Sequence, residues 1–277
     1  MKIWAHTLFK NEERWLWSSV SSVIDHEDKL LLWDTGSTDR SWDIAKEIKN
    51  KYKDKIDLKQ YGEVTTETFP KVRQEMLDKT DSDWFLVVDA DEIWWEDSMK
   101  TLISEIKKED NNNESFVVPT VNVVGDIFHY QEESAGKYRF GNLKGHFNLR
   151  AVKRNIKGLH SQGIHGVWGW ADGDNKQIQE RNTFQFVNAP YLHTTFLPRG
   201  KKRVNDLEVP KRERKLKYEI GEKFPLDYYY PESFFINKPD FISSPWAVMP
   251  NGFRFRSFLE TPFKKIKRRF FNKNVGY

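Results

Sequence analysis

Trp84-Phe85-Leu86-Val87-Val88-Asp89-Ala90-Asp91-Glu92 carries an apolar run straight into three acidic side chains. Phe85 to Val88 has the length and β-branched content of a fully covered parallel strand, and in open α/β sheets ligands gather beyond the carboxyl ends of such strands. Residues i and i+2 on extended backbone project to the same side. Asp89 and Asp91 can therefore reach one hard cation or its water shell, and like charges this close are costly without one. Glu92 has two readings, a cap for the next helix or a third member of the site.

Upstream, strand and helix patterns alternate. Lys2 to Phe9 reads as a first strand, and Asn11 followed by Glu12 and Glu13 as a helix start, with Trp15, Leu16, Ser19, Val20 and Val23 facing inward. Lys29 to Trp33 is a second strand ending in Asp34-Thr35-Gly36-Ser37-Thr38-Asp39, a run of turn and cap residues. A helix over 40–52, a strand over 56–61 and a helix opened by Thr68 and Pro70 precede the quoted strand, which comes fourth. Met99, Leu102, Ile103 and Ile106 mark the helix after it, and Ser115 to Val124 is β-rich. This rhythm predicts an α/β fold with a mostly parallel central sheet flanked by helices on both faces. From Gly125 the periodicity weakens, which predicts a loop-rich second half with short strands such as Phe184 to Val187. Asp110 to Asn113 reads as a loop.

The 277 residues suffice for a substantial core, and with 15% aromatic and 31% charged residues they describe a folded protein with a polar surface. There is no cysteine, so disulfides and thiolate metal sites are excluded. No apolar run approaches the roughly 18–20 residues that span a bilayer. Met1 to His6 enters strand-like sequence at once, without the pattern of a secretory signal, and a cytoplasmic location is the expectation. The formal charge of +4 is unevenly placed: 251–277 hold eight Lys or Arg against Glu260 alone, leaving the rest of the chain acidic.

Three elements in register at successive strand ends carry a resemblance: Lys10-Asn11-Glu12-Glu13, Trp33-Asp34-Thr35-Gly36-Ser37-Thr38-Asp39 and Asp89-Ala90-Asp91-Glu92. In order and spacing they resemble the family 2 glycosyltransferases with the GT-A fold, above all bacterial members that glycosylate cell-envelope sugars. The resemblance covers roughly the first 110 residues. It implies transfer of a sugar from a nucleoside-diphosphate sugar, UDP-type favoured, to a glycan or lipid-linked acceptor, with inversion. It implies that Asp34 binds the nucleotide base, where Thr7 and Asn11 could border it; Ser37 and Asp39 read from their residue types as turn and helix-cap residues. Asp91, with Asp89 alongside, would hold Mn²⁺ or Mg²⁺ against the diphosphate, and Arg73 would contact that diphosphate with its planar fork. Arg150, in Asn148-Leu149-Arg150-Ala151-Val152-Lys153, matches a strand position that touches acceptor or phosphate.

His193, in Tyr191-Leu192-His193-Thr194-Thr195-Phe196, resembles a later family His that completes the metal's coordination. His165 aligns with a family His followed by Glu, but here Gly166 follows, which removes the usual acid. His160 reads as structural. Inverting transfer needs a group to take the acceptor's proton. Asp172, beside Trp168 and Trp170, is the first choice, with His165, Glu132 and Glu133 as others; Asp172 and Asp174 are equally good turn residues.

The expected division is a catalytic domain over 1–200, with a nucleotide-sugar half to 124 and an acceptor-side half from 125, and a helical, aromatic extension over 201–277. In the extension, Thr261-Pro262 can start a basic amphipathic helix in which Phe263, Ile266 and Phe270 share a face. Residues 261–271 then either dock on an anionic membrane or pack on the body through that same face. Lys211 to Lys217 reads as a solvated helix after Pro210.

Three other readings compete. A haloacid-dehalogenase-like phosphohydrolase also ends an apolar strand in Asp-x-Asp, but on the first strand and followed by Thr. A nucleotidyltransferase would carry a Gly-rich basic loop after its first strand. A non-catalytic lipid- or RNA-binding protein would act through the tail, whose confinement to one end argues against nucleic acid.

Overall fold

The structure is a computed structural model that describes residues 1–109, 112–201, 203–209, 212 and 215–271. The alternating first half forms β1 (Ile3–Phe9), α1 (Leu16–Ser21), β2 (Lys29–Asp34), α2 (Ser41–Tyr52), β3 (Ile56–Gln60), α3 (Phe69–Lys79), β4 (Trp84–Val87), β5 (Glu92–Trp94) and α4 (Glu96–Ile106). β6 (Ser115–Asn122) follows, then β7 (His129–Tyr130), β8 (Tyr138–Phe140), β9 (Leu143–Gly145), β10 (Phe147–Lys153), β11 (His160–Gln162), β12 (Gly169–Ala171), β13 (Phe184–Phe186) and β14 (Tyr191–His193). The chain continues through α5 (Arg203–Leu207), β15 (Glu222–Lys223) and α6 (Asn251–Phe271).

The main sheet runs β3-β2-β1-β4-β10-β6-β14-β5, with β13 also paired to β6. Its first four strands are parallel, β10 is antiparallel to both neighbours, and β5 is antiparallel to β14. β1, β2 and β4 are covered on both faces, which is why they read as apolar runs rather than alternating ones, whereas the edge strand β3 is largely open and polar. Leu30 and Leu32 of β2 belong to one core cluster with Leu16 and Val20 of α1, Ile44 and Ile48 of α2, and Met99 and Leu102 of α4. Leu31 and Trp33, on the other face, meet Val72 and Met76 of α3. Phe85 and Val87 point the same way, into a layer completed by Trp170 and Ile178.

Four expectations change. Asn11 does not start a helix: it sits at φ 53°, and α1 begins at Leu16, although the expected inward face remains buried. Glu92 is not the cap of α4; it is the fully buried first residue of β5, and Trp95 precedes the helix. The terminal helix does not begin at Thr261. It runs unbroken from Asn251 through Pro262, where Thr261 bonds Ser257 O at 2.6 Å. Of the basic run, Lys211, Glu213 and Arg214 lie outside the described residues, as do Asp110 and Asn111. Arg212 is buried rather than solvated.

Candidate active site

The carboxyl ends of β1, β2 and β4, together with β6, β10 and β14, open into one cleft of about 860 Å³. That volume accommodates a ligand of nucleotide-sugar size. The quoted acidic stretch forms its floor. Asp89 to Glu92 is a tight turn, closed by Glu92 N donating to Asp89 O at 3.0 Å. The premise of extended backbone through Asp89 and Asp91 therefore does not hold, and the two carboxylates take different partners. Asp89 Oδ1 accepts from Arg73 at 2.9 Å and Asp89 Oδ2 lies 3.4 Å from Arg150. Asp91 Oδ2 pairs with Arg199 at 2.7 Å and faces His193 Nε2 at 3.3 Å.

Charge balance explains the burial. Burial, the largest single influence, raises the Asp91 carboxyl, but Arg199, His193 and Lys215 together outweigh it and hold the group well below its usual range. Asp89 behaves alike: burial is opposed by Arg150 and Arg73, and the net shift is downward. Glu92, bonded to Arg150, lacks enough compensation, so burial, with Asp89 and Asp91 adding to it, pushes it up to about 8. Arg73 is fixed from below, its guanidinium 4.9 Å from the Trp168 ring centroid and 5.3 Å from that of Phe69.

Strand register places the histidine. β14 lies between β6 and β5, and His193 is opposite Asn122 on one side and Glu92 on the other. The ring's hydrogen bonds can be traced from a fixed end. Glu132 O can only accept, so His146 Nε2, 3.1 Å away, carries the proton and donates. Burial lowers His146 below its ordinary range, so the ring is neutral and its Nδ1 accepts from Asn122 Nδ2 at 2.8 Å. That orients Asn122 Oδ1 toward His193 Nδ1 at 3.0 Å, which must donate. Burial also holds His193 below its ordinary value against the pull of Asp91. Its Nε2 therefore presents a lone pair to the Asp91 carboxylate, and two acceptors face each other at a gap that a proton or a cation can bridge.

A second buried network closes the cleft from the C-terminal side. Glu12 Oε1 receives Arg199 Nη1 and Arg212 Nη2, each at 2.6 Å. Arg212 also donates to the carbonyls of Lys10, at 2.8 Å, and Asn11, at 2.6 Å. Burial pushes Glu12 up to about 7 despite both arginines. Arg199, Arg212, Lys215 and Lys217 line the cleft, so the segment expected to start a separate extension supplies one of its walls.

The expected base-binding residues are placed differently. Thr7, Asn11 and Asp34 are fully buried and sit behind the lining, which is formed by Leu8, Phe9, Lys10 and Thr35. Asn11 is occupied in tying loops together: its Oδ1 accepts Thr38 N at 2.8 Å and its Nδ2 donates to Asn205 O at 2.8 Å. Asp34 Oδ1 accepts Ser37 N at 3.0 Å, and Asp39 Oδ1 accepts Ser41 N at 2.9 Å as α2 begins, the turn and cap roles expected of Ser37 and Asp39. Gly36 makes this turn feasible. Its φ is +90°, and a Cβ there would lie 3.2 Å from Glu63 Cα.

Asp172 is corrected outright. Its Oδ1 accepts Asp174 N and Lys176 N, each at 3.0 Å, its other oxygen is paired with Arg181, and it does not line the cleft. It is a turn residue clamped by an arginine. Glu132 also lies off the cleft lining, paired with Arg268 on α6, and His160 bonds Gly158 O at 2.9 Å as a structural residue. Of the proton acceptors expected from sequence, His165 alone lines the cleft, tilted against Phe69 with ring centroids 4.8 Å apart. Arg73, Asp89, Asp91, Arg150 and His193 line it as well. Sequence reading missed Glu12, Asn122, His146, Arg199 and Arg212. Arg199, between Pro198 and Gly200 shortly after His193, was the one with a visible cue.

The family model for glycosyl transferase family 2 matches residues 6–166, more than half of the chain, and the chain belongs to that family. Its sheet and flanking helices are those of the GT-A fold, and membership of the family removes the haloacid-dehalogenase-like phosphohydrolase and nucleotidyltransferase readings. No curated protein matches the sequence. Among solved structures, S. aureus TarS 1-349 in complex with UDP is 13% identical, with 70% of this chain and 60% of that one covered at a TM-score of 0.49. Glucosyl-3-phosphoglycerate synthase from Mycobacterium tuberculosis, in complex with Mn²⁺ and UDP-glucose, is 14% identical, with 74% of each chain covered and a TM-score of 0.41. The mannosyltransferase PcManGT from Pyrobaculum calidifontis, in complex with GDP-mannose and Mn²⁺, is 13% identical, with 70% of this chain and 57% of that one covered and a TM-score of 0.43. The chain spans less than two thirds of the length of the TarS fragment.

Proposed function

We propose that this glycosyltransferase moves a sugar from a nucleoside-diphosphate sugar, UDP-type favoured, to a glycan or lipid-linked acceptor, with inversion and with a divalent cation. The single observation that carries the metal is the pair formed by Asp91 Oδ2 and the lone-pair nitrogen of His193, 3.3 Å apart. A hard oxygen with one imidazole suits Mn²⁺ and also admits Mg²⁺. Among the described residues no group of three or more His, Asp or Glu could hold a metal ion, so the remaining ligands fall to the diphosphate and water. Asp89, already paired with two arginines, then supports the ligand shell rather than joining it. A bound cation would neutralise charge growing on the departing nucleoside diphosphate.

The chain's own residues divide the remaining work. Arg73 and Arg150 stand over Asp89 with donors that face the diphosphate. The base lies against Leu8 to Lys10 and Thr35, with Asp34 behind the lining. For Asp34, Thr7 or Asn11 to touch it, the turn after β2 must open. His165 takes the acceptor's proton. Its place in the lining, with no carboxylate after it in sequence, supports an imidazole rather than an acid as the base.

A thermal-shift screen of nucleoside diphosphates, with and without Mn²⁺, tests this. Stabilisation by UDP that needs Mn²⁺ and disappears in Asp91→Asn is the expected result. If no nucleotide raises the melting temperature in either condition, the donor and metal assignments are wrong.

A further inference from the structure

Helix α6 is attached to the body by its polar side. Lys264 donates to Tyr218 O at 2.7 Å, Thr261 accepts Ile220 N at 2.9 Å, Arg268 bonds Glu219 at 2.7 Å, and Ser257 is fully buried. Its apolar side faces outward: Phe255, Phe258, Leu259, Phe263, Ile266 and Phe270 are between 52% and 74% exposed. At about 100° per residue these six fall within an arc of about 140°. Arg254 and Lys265 border that arc on one edge, and Arg256 and Lys267 on the other; Lys265 also lies 3.8 Å from Glu132, and Arg256 pairs with Glu260 at 2.6 Å and covers the Tyr218 ring. An ordinary surface helix shows the reverse arrangement, with its stripe on the core.

We propose that the outer face of α6 docks on an anionic lipid bilayer, lying in the plane of the interface. Charge complementarity selects this occupant. Arg254 and Lys267, one on each edge, meet lipid phosphates at headgroup depth while the phenylalanines between them enter the acyl boundary. Among the described residues no helix is long and apolar enough to cross a membrane, so the contact is peripheral. The location also has a use, which rests on the sugar-transfer reading above. The partners that hold α6, Glu132, Tyr218 and Glu219, are chain neighbours of Gln131 and Lys217 in the cleft lining. A docked α6 therefore brings the cleft close to the bilayer, where a lipid-linked acceptor is carried.

Co-sedimentation of the full chain with vesicles tests the docking without requiring activity. Binding to phosphatidylcholine vesicles that contain phosphatidylglycerol, little binding to pure phosphatidylcholine, and weakening as added salt shortens the Debye length from about 10 Å to about 3 Å are expected. The triple variant Phe258→Glu, Phe263→Glu, Ile266→Glu should lose on the order of tenfold or more in bound fraction, with an unchanged melting temperature because all three side chains are exposed. No binding, equal binding to neutral vesicles, or undiminished binding by the triple variant overturns the proposal. So does a stable dimer without lipid that the same triple variant dissolves, which would make the face a contact between two copies. Since donor binding is read separately by the nucleotide thermal shift, failure of one assignment is distinguishable from failure of the other.

Discussion

His193 donates from Nδ1 to Asn122 Oδ1 across 3.0 Å, and this bond leaves the opposite ring nitrogen with a lone pair aimed at Asp91. The polarity is inherited from His146 and Glu132 O, so three side chains fix one tautomer. Such partners raise a ligand's basicity and orient it. On the proposed metal reading, Asn122→Ala should lower Mn²⁺ affinity about 10–100-fold while leaving the fold intact. Calorimetric titration with Mn²⁺ in the presence of UDP measures it; an unchanged affinity would make the bond merely structural.

Arg199 holds two carboxylates at once, Asp91 and Glu12. Replacing it by Met leaves both buried with weaker compensation. A loss of about 3–5 kcal/mol in urea unfolding is expected, the usual cost of breaking a buried pair by removing one partner. Glu12→Gln, tested alongside, should cost less, because Glu12 already sits near neutrality at about 7.

Glu27 lies away from the cleft, in the turn before β2, and burial raises its carboxyl well above the ordinary 4.5. A raised pKa means that the folded state holds the proton more tightly. Its contribution to stability is fully present below 4.5 and is lost as pH climbs from there through the raised native value. Glu27→Gln should remove this downward slope. Unfolding free energies of the two proteins, measured at intervals from pH 4.5 upward, should diverge in favour of the variant; parallel curves would contradict the assignment.

Gly36→Ala places a Cβ on backbone at φ +90° and against Glu63. A destabilisation of at least roughly 1–2 kcal/mol is expected from the left-handed conformation alone. The turn shaped by Gly36 also carries Asp34 and Thr35, so UDP affinity should fall too. A variant with unaltered melting temperature and unaltered UDP binding would show that the turn relaxes freely.

Leu102→Ala opens a hole in the layer between α4 and the sheet, where Leu102 is fully buried. The cost should be about 2–5 kcal/mol in chemical denaturation, with sugar transfer per folded molecule unchanged, since Leu102 lies outside the cleft lining.

The sequence by itself determined the scaffold and the strand ends. Apolar periodicity is a local property: a strand buried on both faces must read as Trp84 to Val87 does, and a helix over a sheet must space its apolar residues as Met99 to Ile106 do. It also placed Asp89 and Asp91 at the floor of the cleft, because chain direction in a parallel sheet puts successive strand ends on one side. Tertiary structure decided the chemistry between those ends. Arg73, Arg150 and Arg199 converge on two carboxylates from α3, β10 and the segment after β14, and no local pattern encodes a meeting of residues so far apart in the chain. Asp172 had the composition of a catalytic loop, yet Arg181 and two backbone amides occupy it. Amphipathicity in α6 was legible; which way it faces was not. An apolar stripe packs inward or outward with equal periodicity, and only the anchoring of Lys264, Thr261 and Arg268 on the body turns the phenylalanines outward.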